Sequence, residues 1–187
     1  LVVQPTHLMN GLEYNDLKDE LAGYSDSFEK IVLGEPLLTS DDDFQKVMNA
    51  IVDATKEYDD GETAICFMGH GTEADSNSVY TKMQETLKAA GYDNYFVGTV
   101  EATPSLDDVI AAVKAGGYKK VVLRPLMIVA GDHANNDMYG DEEDSWKSMI
   151  EKMGVKTVGH LQGIGRNAAV QAIYVQHAVA AEAGVQR

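Results

Sequence analysis

Three side chains that can bind a divalent metal, His70, Glu101 and His133, each follow an apolar run of the chain. Two imidazoles and one carboxylate suit a divalent ion from the middle of the first transition row, such as Co, Ni, Fe or Zn. Three protein ligands leave the coordination sphere open, as in catalytic rather than structural sites. Spacing alone leaves a second interpretation open, in which these groups cap helices or serve as hydrogen-bonded polar side chains.

Four further residues are candidates for contact with a substrate at such a site. His7 follows the first apolar run and can line the same cleft, and Glu13 lies on the first turn of a predicted helix. Gly71 lets the backbone pass close to a bulky planar ligand, and Met138 lies in the loop beyond the second histidine. A solvated helix cap for Glu13 and flexible core filling for Met138 are the alternative interpretations.

The elements that must position these residues alternate between short apolar runs and longer segments of helical spacing. The apolar runs predict strands over 1–5, 30–33, 63–68, 95–100, 120–126 and 155–158. Helical spacing predicts helices over 11–24, 76–90, 104–115, 142–153 and 167–183, and a further helix that begins after Ser40. Strands that alternate with helices of this length are typical of βαβ units and a parallel sheet.

The three candidate ligands leave the same edge of the predicted sheet. They follow the strands predicted over 63–68, 95–100 and 120–126, and ligands of an open parallel sheet bind beyond the carboxyl ends of its strands. Because neighbouring parallel strands lie about 4.8 Å apart, side chains at such ends can converge on one ion. The sequence therefore predicts a single metal site at this edge.

The polar segment 57–62 is the best internal boundary, because it is rich in acids and contains Gly61. It divides the chain into the remainder of a first α/β lobe, 1–60, and a second α/β lobe with the metal ligands, 61–165. A C-terminal helix over 166–187 is expected to pack back on the first lobe. The predicted fold class is α/β, with two lobes of parallel sheet flanked by helices, of which the first is incomplete.

The charge balance excludes several classes of partner. The chain has 30 acidic and 15 basic residues, for a net charge of −15, whereas binding to nucleic acid or an anionic membrane needs clustered cations. No apolar run approaches the roughly 20 residues of a membrane-spanning helix, and the single cysteine, Cys66, fits a reducing compartment. We expect a cytoplasmic location with no nucleic-acid or membrane partner. The missing initial Met leaves a removed leader and a periplasmic location open.

Several motifs resemble those of a known family. The longest is PLMIVAGDHANNDM over 125–138, and it is accompanied by FMGHG over 67–71, DSWK over 144–147, VEATP over 100–104 and QPTH over 4–7. These segments, with Gly11, Glu13 and Tyr14, resemble the anaerobic sirohydrochlorin cobalt chelatases (CbiK type). The resemblance covers nearly the whole chain and is most specific around GDHA over 131–134.

This resemblance implies a fold, a reaction and a set of residues. The fold is that of the class II chelatases, with two flavodoxin-like lobes that face each other across a cleft. The reaction is insertion of Co(II), as the substrate metal, into the tetrapyrrole sirohydrochlorin or precorrin-2 on the anaerobic route to cobalamin, without an organic cofactor. The metal ligands fall on His70, Glu101 and His133, and an active-site acid falls on Glu13. The implied catalytic residues are His70, His133 and Glu13.

Some properties stay open after this comparison. The family carries a further βα segment before the point where this chain begins, so the first lobe is expected to lack part of its sheet. The ligand set does not choose among Co, Fe and Ni, which leaves an iron or nickel chelatase and a non-catalytic metal or tetrapyrrole carrier as alternatives. The sequence also leaves open haem binding, known from a family variant, and assembly into a homo-oligomer.

Overall fold

The strands of this protein form two parallel sheets in a computed structural model that describes residues 1–185. Strands β1 (Val2–Val3) and β2 (Val32–Leu33) pair in a small sheet. A larger sheet contains β3 (Thr63–Gly69), β4 (Tyr95–Thr99), β5 (Lys120–Pro125) and β6 (Lys156–Gly159), in the order β4-β3-β5-β6. The predicted α/β class with parallel sheets is confirmed.

Six α-helices lie among these strands in the described part of the chain. They are α1 (Leu12–Ala22), α2 (Asp41–Asp53), α3 (Ser78–Ala89), α4 (Leu106–Gly116), α5 (Trp146–Glu151) and α6 (Ala168–Ala183). Across residues 1–185, none of the helices has both the length and the apolar character needed to cross a membrane.

Side-chain caps fix where several helices begin. Ser40 and Ser105 each accept a hydrogen bond from the backbone N–H three residues on, in reciprocal capping boxes with Asp43 and Asp108. The predicted start after Ser40 is confirmed. The helix predicted from residue 104 begins at Leu106, and the helix predicted over 142–153 is confined to α5, because Ser145 caps it. Each serine hydroxyl forms a hydrogen bond with the backbone of the first turn, which favours the start of the helix at that point over its extension toward the N-terminus.

Helices cover both faces of the larger sheet. Alternate residues of β3 point to opposite faces: Ile65 and Phe67 pack with α2, α3 and α6, whereas Cys66 and Met68 pack with α4 and α5. Helix α3 follows β3 on the first face, and the chain after β5 leaves toward the second. Neighbouring strands with connections on opposite faces leave a crevice between their carboxyl ends. That crevice lies between β3 and β5.

Helix α2 belongs to the segment 1–60, yet it packs on the larger sheet. Its buried residues Phe44, Val47 and Ile51 share a core with Ile65 and the other apolar residues of that face. Helix α6 packs against α2 and also contacts β1 and β2. Segments 1–60 and 61–165 therefore share a hydrophobic core, because the apolar side chains of α2 are buried against the larger sheet. The division into two lobes stays a prediction.

A buried polar cluster joins α6 to α2. The His177 ring lies 3.0 Å from the Asp43 carboxylate through Nε2 and 3.0 Å from the Glu35 carbonyl through Nδ1. The Asp43 carboxylate also accepts hydrogen bonds from the backbone N–H and the hydroxyl of Ser40, at 2.9 and 2.7 Å. Both side chains of the His177–Asp43 pair are fully buried. The cluster therefore fixes the C-terminal helix against the N-terminal part of the chain.

Candidate metal centre

The three side chains predicted as metal ligands meet at the carboxyl edge of the larger sheet. His70 comes directly after β3, Glu101 lies beyond the end of the neighbouring β4, and His133 lies beyond β5 on the other side. One ligand atom from each residue can be chosen so that all three lie within 4.8 Å of one another. The structure brings these three residues together, as the strand ends predict, and metal binding by them stays a prediction.

The geometry of the three groups suits one small ion. The rings of His70 and His133 stand edge to face, with centroids 4.5 Å apart, and the Glu101 carboxylate lies beside the His70 ring, 3.8 Å from its Nδ1. Ligand atoms at about 2.1 Å from a tetrahedral ion are about 3.4 Å apart, against separations of up to 4.8 Å between the three candidate ligand atoms. The His70, Glu101 and His133 side chains are 50%, 55% and 34% exposed, so small rotations can bring them to bonding distance.

The loops after β3 and β4 are tied together, which sets the distance between His70 and Glu101. The Glu101 N–H donates to the His70 carbonyl at 3.0 Å. Asn77 bridges the same loops, because its Oδ1 accepts from the Thr72 N–H at 3.1 Å and its Nδ2 donates to the Thr103 carbonyl at 2.6 Å. Asn77 was not among the residues predicted from the sequence, since nothing in its spacing marks a bridge between distant loops.

Gly71 lets these two loops approach each other, and its contact with substrate stays a prediction. The residue is buried and has a φ of +89°, a conformation that favours glycine. A Cβ at this position would lie 2.9 Å from the Ala102 nitrogen and 3.0 Å from Cβ of Thr99. Gly71 thus faces the protein, and its small size serves the packing of the ligand loops.

Hydrogen bonds decide which ring nitrogen of each histidine can bind a metal. Nδ1 of His70 lies 2.8 Å from the Gly71 carbonyl, and Nδ1 of His133 lies 2.7 Å from Oδ2 of Asp137. Both partners are acceptors, so each hydrogen bond requires a proton on Nδ1. The lone pair of each neutral ring is then on Nε2. Each histidine therefore has one nitrogen oriented by the protein and one available for an ion.

His133 stands at the start of a π-helical turn, Ala134–Met138, in a segment predicted as a loop. Helical winding brings Asp137, four residues on, alongside the His133 ring, and such turns are frequent at functional sites. The spacing of His133 and Asp137 is the signal that could have identified Asp137, but it has meaning only if the segment is helical. The prediction as a loop concealed it.

The same winding places Met138 on the inner side of the turn. Its side chain is fully buried and belongs to the core on the second face of the larger sheet, with Ala134, Trp146 and Ile150. This burial fits the alternative interpretation, core filling, and a contact between Met138 and substrate stays a prediction.

The two predicted residues of the first segment lie outside the group of three ligands. Glu13 is exposed on the first turn of α1, and its Oε2 lies 3.6 Å from the position that a Cβ on Gly11 would take. The Ser76 hydroxyl, in the loop after His70, lies 3.4 Å from the same position. The start of α1 thus reaches the loop that carries the first histidine, while a chemical role for Glu13 stays a prediction.

His7 lies in the segment after β1 and is partly buried. Its carbonyl accepts from the Leu37 N–H and the Tyr174 hydroxyl, each at 3.0 Å, and its ring stands edge-on to Tyr14 at 6.4 Å. Its Nδ1 is buried and finds no hydrogen-bond partner within residues 1–185. A contact between His7 and substrate stays a prediction.

The fold and the site together define an α/β protein with a candidate three-ligand metal centre at a sheet edge. SirB from Bacillus subtilis, solved with Fe3+, has a similar fold, with a TM-score of 0.68 over 96% of this chain and 70% of that chain, at 14% sequence identity. The family model described as cobalt chelatase (CbiK) matches residues 1–182. The chain belongs to this cobalt chelatase family, which confirms the resemblance found in the sequence.

Two relatives carry names that state an activity. The sirohydrochlorin cobaltochelatase of Salmonella typhimurium is 34% identical over 177 residues, which are 95% of this chain and 66% of the relative. The sirohydrochlorin cobaltochelatase CbiKC of Nitratidesulfovibrio vulgaris is 30% identical over 183 residues, or 97% of this chain and 64% of that protein. The chain thus spans just under two thirds of the length of the relatives that it matches here.

Proposed function

We propose that this chain is a chelatase that inserts Co(II) into sirohydrochlorin or precorrin-2. The observation that carries the proposal is the convergence of His70, Glu101 and His133, with ligand atoms within 4.8 Å of one another in a crevice open to solvent. The family and the names of the two relatives support cobalt as the metal and sirohydrochlorin as the ring. Co(II) is a substrate of this reaction and leaves in the product.

Insertion requires an ion that can be released and two protons that can be accepted. A divalent ion that enters a free-base tetrapyrrole displaces the two N–H protons of the ring, so charge balances with two protons released. His70, Glu101 and His133 hold the ion while the remaining coordination positions receive the first pyrrole nitrogens. As further nitrogens bind, the protein ligands dissociate, and their lone pairs become available to the protons.

The proton acceptors that we propose are the histidines and Glu13. A ligand histidine that leaves the metal exposes Nε2 beside the ring nitrogens, and general-base assistance of this kind contributes about 10²–10⁴-fold in rate. Glu13 reaches toward the loop of His70 from the start of α1, where it can accept the second proton or hold the ring. A crevice that favours a bent ring over a flat one adds preference for the transition state.

An exposed apolar side chain close to His133 in the sequence supports a substrate with an apolar ring face. Val129, four residues before His133, is 71% exposed. Its backbone is held rigidly, because the Ile164 and Gly165 N–H groups donate to the carbonyls of Met127 and Ile128 at 2.9 and 3.1 Å. An exposed apolar side chain on the segment that leads from β5 to His133 offers a surface for the face of a macrocycle.

Val129→Asp is therefore expected to weaken the binding of the tetrapyrrole and to leave Co(II) binding unchanged. A carboxylate pressed against an apolar ring face loses hydration without a partner, so we expect KM for the tetrapyrrole to rise about 10–100-fold. Steady-state insertion kinetics and a Co(II) titration of the same samples measure the two effects.

Val175→Asp is the matched control, because Val175 is 62% exposed on α6, a helix that packs against α2, β1 and β2 and carries none of the three candidate ligands. It makes the same change of charge and size and should leave KM unchanged. An unaltered KM for Val129→Asp, or an equal rise for both variants, contradicts the role of Val129.

The experiment that tests the proposed function is an insertion assay with excess sirohydrochlorin and Co(II), Fe(II) or Ni(II) in parallel. More than one equivalent of cobalt product per protein, with Co(II) preferred, is the expected result. Turnover with Fe(II) or Ni(II) but not with Co(II) would identify the protein as an iron or nickel chelatase. A spectral change that stops at one equivalent identifies a carrier and overturns the proposed activity.

A further inference from the structure

The two ligand histidines are oriented by different kinds of partner. Nδ1 of His70 donates to a neutral carbonyl, that of the adjacent Gly71, whereas Nδ1 of His133 donates to the Asp137 carboxylate at 2.7 Å. A hydrogen bond to an ionised acceptor is roughly twice as strong as one between neutral groups. The orientation of His133 is therefore held more firmly than that of His70.

The Asp137 carboxylate has no competing partner in the part of the chain that the structure describes. Its hydrogen bond and ion pair with His133 are the only side-chain contacts of either kind that it makes among residues 1–185. The side chain is 45% exposed, so it contributes little to the hydrophobic core. The position of the Asp137 side chain is therefore explained by its contact with His133, a predicted metal ligand, and not by a contribution to the stability of the fold.

We propose that Asp137 is a positioning residue of the metal centre, which fixes the tautomer and the orientation of His133. Its carboxylate keeps the proton on Nδ1 and aims Nε2 at the point shared with His70 and Glu101. Carboxylate–histidine–metal arrangements of this kind raise the basicity of the ligand nitrogen and limit rotation of the ring. The inference rests on the proposed function, in that Co(II) is taken as the ion bound.

The turn that carries both residues explains why the arrangement is precise. His133 and Asp137 are separated by four positions in a helical turn, and residues at that separation lie on the same face. Ala134 and Met138, the next residues on the chain after each of them, are fully buried. The buried side anchors the turn to the core, and the polar side therefore presents the pair to the crevice in a fixed relation.

The test compares Asp137→Ala and Asp137→Asn with Asp132→Ala. Asp132 is an exposed acid beside His133 whose carboxylate makes no hydrogen bond or ion pair with any described residue, so its removal gives the same change in charge nearby. Co(II) affinity is measured by titration of the full chain, and long-range proton–nitrogen NMR spectra of the metal-free protein report the tautomer of His133. The His133→Ala variant assigns the resonance.

We expect Asp137→Ala to bind Co(II) about 10–100-fold more weakly than the unsubstituted chain and to lose the preference of His133 for the Nδ1–H tautomer. Asp137→Asn should retain that tautomer and most of the affinity, because an amide oxygen still accepts the hydrogen bond. Asp132→Ala should match the unsubstituted chain.

Two results overturn the role of Asp137. One is an Asp137→Ala variant with unchanged affinity or an unchanged His133 tautomer, and the other is an equal loss of affinity in Asp132→Ala, which assigns the effect to general charge. The proposed function is contradicted by a different result. If Asp137→Ala weakens Co(II) binding but the unsubstituted chain inserts no cobalt, the chelatase assignment fails while the positioning role of Asp137 is supported.

Discussion

His70→Ala and His133→Ala are each expected to abolish Co(II) insertion into sirohydrochlorin while the fold stays intact. Each substitution leaves two of the three ligand atoms that lie within 4.8 Å of one another, and it also removes a candidate proton acceptor. Loss of general-base assistance alone is worth about 10²–10⁴-fold in rate, and loss of the ion from its position adds to this. Insertion is followed by absorbance of the tetrapyrrole, and the fold by circular dichroism and thermal unfolding.

Because both side chains are substantially exposed, their removal should change thermal stability little. His160→Asn is the matched control, since His160 lies after β6, where its ring packs on Tyr58 at 4.7 Å, and it is not part of the ligand group. This variant should insert cobalt at the unsubstituted rate. Near-normal insertion by either His70→Ala or His133→Ala refutes the ligand assignment.

His177→Ala is expected to destabilise the protein more than any other single histidine substitution. The ring lies fully buried between the Asp43 carboxylate and the Glu35 carbonyl, both at 3.0 Å. Removal of one partner of a buried ion pair leaves an uncompensated charge and costs about 3–5 kcal/mol. The free energy of unfolding, from urea titration, measures the effect.

Gln176→Ala controls for the helix position, because Gln176 is exposed next to His177 and accepts a hydrogen bond from Lys46 on the surface. Its loss should cost less than about 1 kcal/mol. A His177→Ala variant as stable as Gln176→Ala contradicts the contribution assigned to the buried pair.

The same cluster predicts how stability depends on pH. Burial acts to raise the pKa of Asp43, but hydrogen bonds from Ser40 and from His177 outweigh it and hold the pKa below its usual range. A carboxyl group whose pKa is lower in the folded state stabilises the fold above its unfolded value of about 3.9, and this contribution is lost as the pH falls through the folded value. The stability difference between the unsubstituted chain and Asp43→Asn should therefore shrink below about pH 4. A difference that stays constant from pH 7 to pH 3 contradicts this linkage.

The location of the three candidate ligands followed from the sequence because it depends on a simple rule. Apolar runs predicted the strands, and the residues directly beyond them had to emerge at one edge of a parallel sheet. His70, Glu101 and His133 come from the neighbouring strands β3, β4 and β5, and this adjacency is what allows their side chains to meet. The family motifs supplied the proposed reaction, which no pattern of spacing could provide.

The parts of the site that sequence reasoning missed depend on local winding and on contacts between distant segments. Asp137 and Met138 take opposite sides of a turn only because residues 134–138 are helical, and the prediction of a loop there concealed both the contact of Asp137 with His133 and the burial of Met138. Asn77 bridges two loops that are far apart in sequence. The packing of α2 on the larger sheet was missed for the same reason, since the apolar face of a helix does not identify the sheet against which it packs.

The most direct measurement of the central claim is a crystal structure of the protein with Co(II), with anomalous diffraction recorded at the cobalt edge. One cobalt peak is expected at the carboxyl ends of β3, β4 and β5, bonded to Nε2 of His70, Nε2 of His133 and the Glu101 carboxylate at about 2.0–2.2 Å. A cobalt ion bound at any other place with these three side chains unengaged, or no cobalt at stoichiometric concentration, would contradict it.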